Sequence, residues 1–469
     1  MKRLSVASVA LLTACTVGTV NCGNSTPPPV APTPPAAPVA STTPPPPPTA
    51  ADPPPVTDGD VTVAFVRGME ILVKKTPGAE FVAARLCIRG GVRNWNKDNA
   101  GVEDVALSVA TSGGTQSLPK GPYSQKLAAL GATLDGDAGY DFSTIRTKAP
   151  TASWDELFPI FVETFLAPAL PASEFDVVKQ RALSSLRHEM EDGDGRLDAL
   201  LRKALYGGHP YANRPVGTVE TVNALKLEEL GSQLSLLRDT GRLVLIVVGD
   251  VDPAHVIDQA KAAFASVPRG AYAETPLPLL HFSASHMVGD SFKLPTNYIY
   301  AAYAGPGWLD PDFLTLRLEM TVLRERLFDE VRTKRNLSYA PSAFFRRSGA
   351  PYGALYVTAV DPGTTMKVML EEVHRLQTEL IPAKELDGAK GTFVTSDLQG
   401  HETVDAQAGD LGDALILGGD WHLTRTLIAR VKQTTPEAAR EAAKKWLVNL
   451  QTEIVGEPGK LDPKAVGAQ

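Results

Sequence analysis

From residue 60 onward the chain switches between two hydrophobic periods. In "VTVAFVRGMEILVKKTP", starting at Val61, apolar residues alternate on either side of Gly68, which predicts two strands. "AEFVAARLCIRGG" predicts a third strand, stopped by Gly90 and Gly91. At Val102 the period lengthens: Val102, Val105, Ala106 and Val109 fall at helix spacing and make one buried stripe. A second helix runs through "YSQKLAALG", and "ATLDGDAGYDFSTIRTKAP" reads as a hairpin. A helical stretch then covers Ser153 to Gly207, broken by Pro168 and Pro171. The strand "RLVLIVVGDV" and the helix "PAHVIDQAKAAFASVP" complete this run.

After a loop rich in Pro and Gly around residues 268–280, a similar order starts again. It consists of a strand at "TNYIYAAYAG", a helix from Asp312 to Arg335, strands at "SYAPSAFFRR" and "GALYVTAV", helices from Thr364 through Leu447, and a last strand at "TEIVG". The repetition predicts an internal duplication. Each half is expected to be an α+β unit, a mainly antiparallel sheet with helices packed on one face. The boundaries expected are 60–268 for the first half, 269–285 for the connection, 286–457 for the second half and 458–469 for a tail.

The residues before 60 belong to neither half. Lys2 and Arg3 precede the apolar stretch "LSVASVALL", the pattern of an export signal. "LTAC" resembles a bacterial lipobox, so Cys15 is the expected lipidation site and residues 1–15 the signal segment; an ordinary signal cleaved near Cys22 is the alternative. Thr16 in place of Asp suggests outer-membrane sorting, with the protein facing the periplasm of a bacterial cell envelope. Residues 16–59 are Pro-rich and cannot build a core; they are expected to be a polyproline spacer between lipid anchor and folded chain. A net charge of −7 argues against nucleic-acid binding. With Cys22 in the spacer and Cys87 in a strand, no disulfide framework is expected.

Candidate chemistry is thin. Asp104, Leu107 and Ser108 stand at i, i+3 and i+4, a spacing at which one helix face could hold a metal, but as a set these side chains cannot. No two of the eight histidines are four residues apart, and there is no C-x-x-C. His281 and His286 read as a solvated pair, and His209 as a turn residue. No nucleophile elbow or phosphate loop is present.

Five segments in order nevertheless resemble the pitrilysin/insulinase-type zinc metallopeptidases, specifically short bacterial members similar to mitochondrial processing peptidase subunits. They are "GVEDVALSVATSGGT", "KLAALGATLDGDAGYDFSTI", "GGHPYANRPVGTVETVNAL", "LIVVGDVDPAHV" and "RERLFDEVRTKRNLSYAPSAFF". The resemblance implies a duplicated metallopeptidase-like fold. In active members an H-x-x-E-H helix and a later glutamate bind zinc, and the helix glutamate activates water. Carried over, the first histidine falls on Asp104, the glutamate on Leu107 and the second histidine on Ser108. The third ligand falls at or near Arg187, with Glu189 the nearest carboxylate. The resemblance therefore implies no catalytic residue, metal or cofactor in this chain. Arg332 and Tyr339 match the family's arginine and tyrosine that hold the substrate peptide, and Asn336 stands where glycine is usual.

The expectation is a non-catalytic, substrate-binding subunit of a heteromeric metallopeptidase acting on peptides or unfolded proteins. Its partner would be a catalytic H-x-x-E-H subunit of the same family, and zinc is expected in that partner. The alternative is an envelope-tethered peptide-binding or scaffold lipoprotein with no peptidase partner.

Overall fold

The computed structural model describes residues 52–270 and 272–468. The signal segment with Cys15, and residues 16–51 of the spacer, lie outside the described residues. The first half runs β1 (Val56–Asp58), β2 (Val61–Val66), β3 (Met69–Lys75), β4 (Phe81–Arg89), α1 (Val102–Ser112), α2 (Lys120–Ala129), β5 (Thr133–Asp137), β6 (Phe142–Pro150) and α3 (Trp154–Leu166). It continues with α4 (Ala172–Glu189), α5 (Gly193–Leu205), α6 (Val219–Ala224), α7 (Leu227–Leu237), β7 (Leu243–Gly249) and α8 (Pro253–Ala263). The second half runs β8 (His286–Ser291), β9 (Asn297–Ala304), α9 (Asp312–Leu327), β10 (Ser342–Arg346), β11 (Tyr352–Ala359) and α10 (Pro362–Thr378). It ends with α11 (Ala383–Gly400), α12 (Val404–Gly418), α13 (Leu423–Gln433), α14 (Pro436–Trp446) and β12 (Gln451–Gly456).

Strand order makes the duplication explicit. The first sheet reads β1-β2-β3-β7-β4-β6-β5 and the second β10-β11-β9-β12-β8. Without β1 and β2, the first sheet has the strand order of the second, with β3·β7 answering β8·β12. Those two are also the parallel pairs in otherwise antiparallel sheets. Long crossovers make both, since a parallel neighbour cannot be reached through a tight turn.

The alternation in β4 and β7 sorts their side chains onto two faces. Val82, Ala84, Leu86 and Ile88 join Leu243, Leu245 and Val247 against Val105, Ala106 and Val109 of α1. On the other face Ala83, Cys87, Val244, Ile246 and Val248 are equally buried, packed against Ala408, Leu411 and Leu415 of α12. Within each half the remaining helices pack on one face of its sheet, as expected. The second face of the first sheet is apolar and is covered by a helix from the other half. Gly412 lets α12 come close, because a Cβ there would lie 3.3 Å from Ile246 Cδ1 and 3.5 Å from Cys87 Sγ. The topological counterpart of α12 is α5, and α5 crosses the opposite way. Its Leu201 and Leu205 pack with Ala302 of β9 and Ala354 of β11.

The segments that flank and connect the two halves are packed onto them. The described residues of the spacer pair with the first half: β1 pairs with β2, and Asp52 accepts hydrogen bonds from the Arg67 and Gly68 amides. The connecting segment is strapped down on both halves. Arg93 donates to the Thr275 carbonyl, the His209 ring bonds the Pro278 carbonyl, and Asn449 and Gln451 donate to the Phe282 and Ala284 carbonyls. The tail folds into two short turns that bury Leu461, Val466 and Ala468 in the second core.

Candidate functional site

Helix α1 begins at Gly101, whose φ of 94° places it in the left-handed region open to glycine. A Cβ there would lie 3.0 Å from the Gly217 Cα, and Gly217 also has positive φ. Two of the segments that carried the family resemblance thus meet at a glycine-on-glycine crossing. It brings the start of α1 against the loop that leads into α6.

On α1 the three carried-over positions have separate fates. Leu107 is fully buried in the first core, where an aliphatic side chain fits and a base would be stranded. Asp104 is half-buried and accepts a hydrogen bond from the Ala138 amide at 3.1 Å. Burial pushes its carboxyl up to about 6, against that amide bond and with the Asp137 and Glu103 charges adding to the rise. Ser108 is half-buried, and its backbone carbonyl accepts from the Thr111 and Ser112 hydroxyls. Arg187 is exposed on α4. Glu189 is clasped by Arg202 at 2.8 Å and Arg214 at 2.6 Å. Burial would raise its pKa, but these two guanidinium bonds hold the carboxyl below its usual range. A zinc ion needs three or four good donors, and the three carried-over positions of this helix offer one carboxylate. Among the described residues no group of three or more His, Cys, Asp or Glu side chains could hold a metal. The residues do not fit zinc.

A carboxylate that the sequence reading passed over organises the same helix. Glu103 is fully buried and accepts from Trp95 Nε1 at 3.1 Å, Gln233 Nε2 at 2.8 Å and the Ser143 hydroxyl. It ties α1 to the preceding loop, to β6 and to α7. The signal for it was weak: a single acidic residue in the first turn of a helix, where acids commonly sit exposed near the dipole.

The second half keeps the other expected pair, and the structure brings its members together. The helix expected to reach Arg335 is α-helical only to Leu327; Phe328–Thr333 form a π-turn, a geometry frequent at functional sites. Asn336 then takes a φ of 49°, the left-handed conformation that asparagine tolerates best after glycine. This reversal returns Tyr339 over Arg332, whose guanidinium lies 4.0 Å from the Tyr339 ring centre and 4.7 Å from that of Phe328. Tyr339 is 77% exposed. The Arg332 guanidinium forms no ion pair or hydrogen bond with any described residue, so its donors are open to a ligand.

Between the halves lies a cavity of about 700 Å³ whose lining includes Ala138, Tyr140, Tyr206, Tyr300, Arg346 and Arg347. It borders the end of β5 to which Asp104 is bonded, and Asp141 closes one side by accepting from Tyr211 and from the Gly349 amide at 3.0 Å.

Comparison with known proteins agrees with this architecture. The insulinase (peptidase family M16) model matches residues 70–218, and the peptidase M16 inactive domain model matches residues 237–393. The non-peptidase homolog YmxG of Helicobacter pylori is 22% identical over 365 residues, covering 74% of this chain and 82% of that one. The mitochondrial-processing peptidase subunit beta of Caenorhabditis elegans is 20% identical over 272 residues, covering 58% of each chain. Among solved structures, the peptidase M16 inactive domain from Pseudomonas fluorescens superposes with a TM-score of 0.77 at 20% identity, covering 84% of this chain and 97% of that one. The two matched domains follow one another along a chain whose halves share one strand order, and the chain belongs to peptidase family M16.

Proposed function

We propose that this chain is the non-catalytic, substrate-binding subunit of a heteromeric M16 metallopeptidase that acts on peptides or unfolded proteins in a bacterial cell envelope. One observation carries the reading. The helix that should hold metal has a single carboxylate among its three positions, while Arg332, half-buried, and Tyr339, exposed, are preassembled and without an internal acceptor. A structural arginine would be expected to use its guanidinium on a neighbouring carboxylate or carbonyl. Arg332 instead rests on two aromatic faces, which orient the fork without consuming its donors.

In this reading Arg332 donates paired hydrogen bonds to a peptide carbonyl, and the Tyr339 phenol adds a donor beside it. The partner chain carries H-x-x-E-H, holds the zinc and supplies the base. The mitochondrial-processing peptidase relative, a peptidase subunit by name, supports an assembly of paired chains. Lipidation at Cys15 tethers the subunit to the membrane, and the Pro-rich segment spaces it from the surface. The second reading is a tethered peptide-binding or scaffold lipoprotein with no peptidase partner, favoured by the non-peptidase name of the Helicobacter relative.

Affinity capture of the tagged protein from its native envelope separates the two. A stoichiometric companion with intact H-x-x-E-H supports the subunit reading, and its absence from an extract of folded, abundant protein supports the scaffold. In the reconstituted complex, Arg332→Ala should lower peptide turnover by about tenfold or more while leaving assembly intact. Unchanged turnover would remove Arg332 from substrate binding.

A further inference from the structure

The duplication places a second cleft where the metal site of an active half would be. In the first half that place lies among α1, β5 and α4; its counterparts in the second are α9, β10 and α11. There a cavity of about 290 Å³ is lined by Arg317, Thr321 and Arg324 of α9, by Phe345 of β10, and by Thr392 and Ser396 of α11. Its size is near the lower end for small-molecule pockets.

The charges around it do not cancel. Asp410 accepts from Arg347 at 3.3 Å and faces the His401 ring at 3.0 Å, and Asp397 lies 3.6 Å from the other His401 nitrogen. The two acids of the wall are therefore matched by Arg347 and His401; the hydrogen bond that His401 donates to Asp410 foremost raises it to about 9, so it is cationic at neutral pH. Arg317 and Arg324 are left over. The Arg317 guanidinium carbon lies over the Phe393 ring, 4.5 Å from its centre, and its Nη1 is buried with no hydrogen-bond partner. Arg324, a further two turns along the same face, forms no ion pair or hydrogen bond with any described residue. Burial, with Arg347 adding repulsion, pushes Arg317 down to about 10 against the attraction of Asp397 and Asp410; it stays charged and forms no direct ion pair with either. Nη1 itself is closed to solvent, so a ligand in the cleft meets the remainder of the Arg317 guanidinium, which lines it and donates to no described residue.

We propose that this cleft binds a small, multiply charged oxyanion of the phosphate class, held by Arg317 and Arg324. The guanidinium forks match the tetrahedral oxygens, and the hydroxyls of Thr321, Thr392 and Ser396 supply neutral donors for the remainder. Phe393 fixes the Arg317 plane from below, as an aromatic platform does in preorganised anion sites. The site is independent of Arg332 and Tyr339, and of whether a peptidase partner exists.

Calorimetric titration of the purified chain with inorganic phosphate and with pyrophosphate, at fixed ionic strength against chloride, tests it. Saturable binding is expected, with pyrophosphate tighter than phosphate, and Arg317→Met should weaken it by about tenfold or more. In phosphate-free buffer Arg317→Met should melt no lower than the parent, because it removes an unmatched buried charge. Should that variant fail to fold, Arg324→Ala, at an exposed position, decides alone and should weaken binding severalfold. Absence of saturable heat with either anion, or equal affinity in parent and folded variants, overturns the proposal. So does binding of a hexaglutamate peptide but of neither anion, which would make the cleft a peptide site.

Discussion

Two helices exchange places between the halves, and they do so with different chemistry. Helix α12 lies on an apolar face: Ala83, Cys87, Val244, Ile246 and Val248 beneath Ala408, Leu411 and Leu415. Helix α5 lies on a face that carries Tyr298, Tyr300, Gln451 and Glu453, residues brought into register by the β9·β12 pairing. It is held at its start by Arg196 to Asp290 at 2.8 Å and by Tyr356 donating to Asp194 at 2.7 Å. The first contact excludes water and is held by burial. The second borders the 700 Å³ cavity and leaves both Glu453 oxygens without a partner. Duplication fixed the position of the two crossings, and the side chains then diverged. One joint became cohesive and the other polar.

That contrast can be broken at its dry side first. Leu411→Ala opens a cavity between α12 and the first sheet and should cost about 2–5 kcal/mol in denaturant unfolding. A loss below that range would mean α12 is only loosely seated. On the polar side, burial raises the Glu453 carboxyl to about 8. The native state therefore holds a proton that the unfolded chain releases near the ordinary glutamate range. The stability this contributes is complete below the ordinary glutamate value of 4.5 and is lost progressively as pH rises from there to about 8. Glu453→Gln should flatten that decline, gaining on the order of a few kcal/mol above about pH 8 and little below the ordinary range. Melting curves across pH read it, and parallel profiles for parent and variant would refute it. Smallest is Arg196→Ala, which removes a half-exposed ion pair and the stacking of Arg196 on Phe292, and should cost about 1 kcal/mol or less. High salt should narrow even that difference.

Much of this was legible in the sequence, for reasons that can be named. Alternation revealed β2, β3 and β4, helix spacing revealed α1, and the repeated order revealed the two halves. The positions Asp104, Leu107 and Ser108 revealed a helix without metal donors, and the pairing of Arg332 with Tyr339 came from the run that carries them. What escaped was what local pattern does not encode. Strand β8 is short and largely solvent-facing, a strand only because β12 pairs with it. β1 is exposed at all three positions and exists through its pairing with β2. Helix α12 carried an apolar stripe, and a stripe tells that a face is buried without telling against which sheet. Glu103 looked like an ordinary first-turn acid; only its three partners, from Trp95 to Gln233, make it central.

The crossing of α12 also orders the chain's maturation in time. The backbone of the first sheet is complete once Gly249 has been made, yet its second face stays bare until residues 404–418 arrive. For more than a third of the chain's length, the growing polypeptide carries an uncovered apolar sheet. The first half therefore has no finished form of its own, and a fragment ending after α8 would be sticky rather than folded.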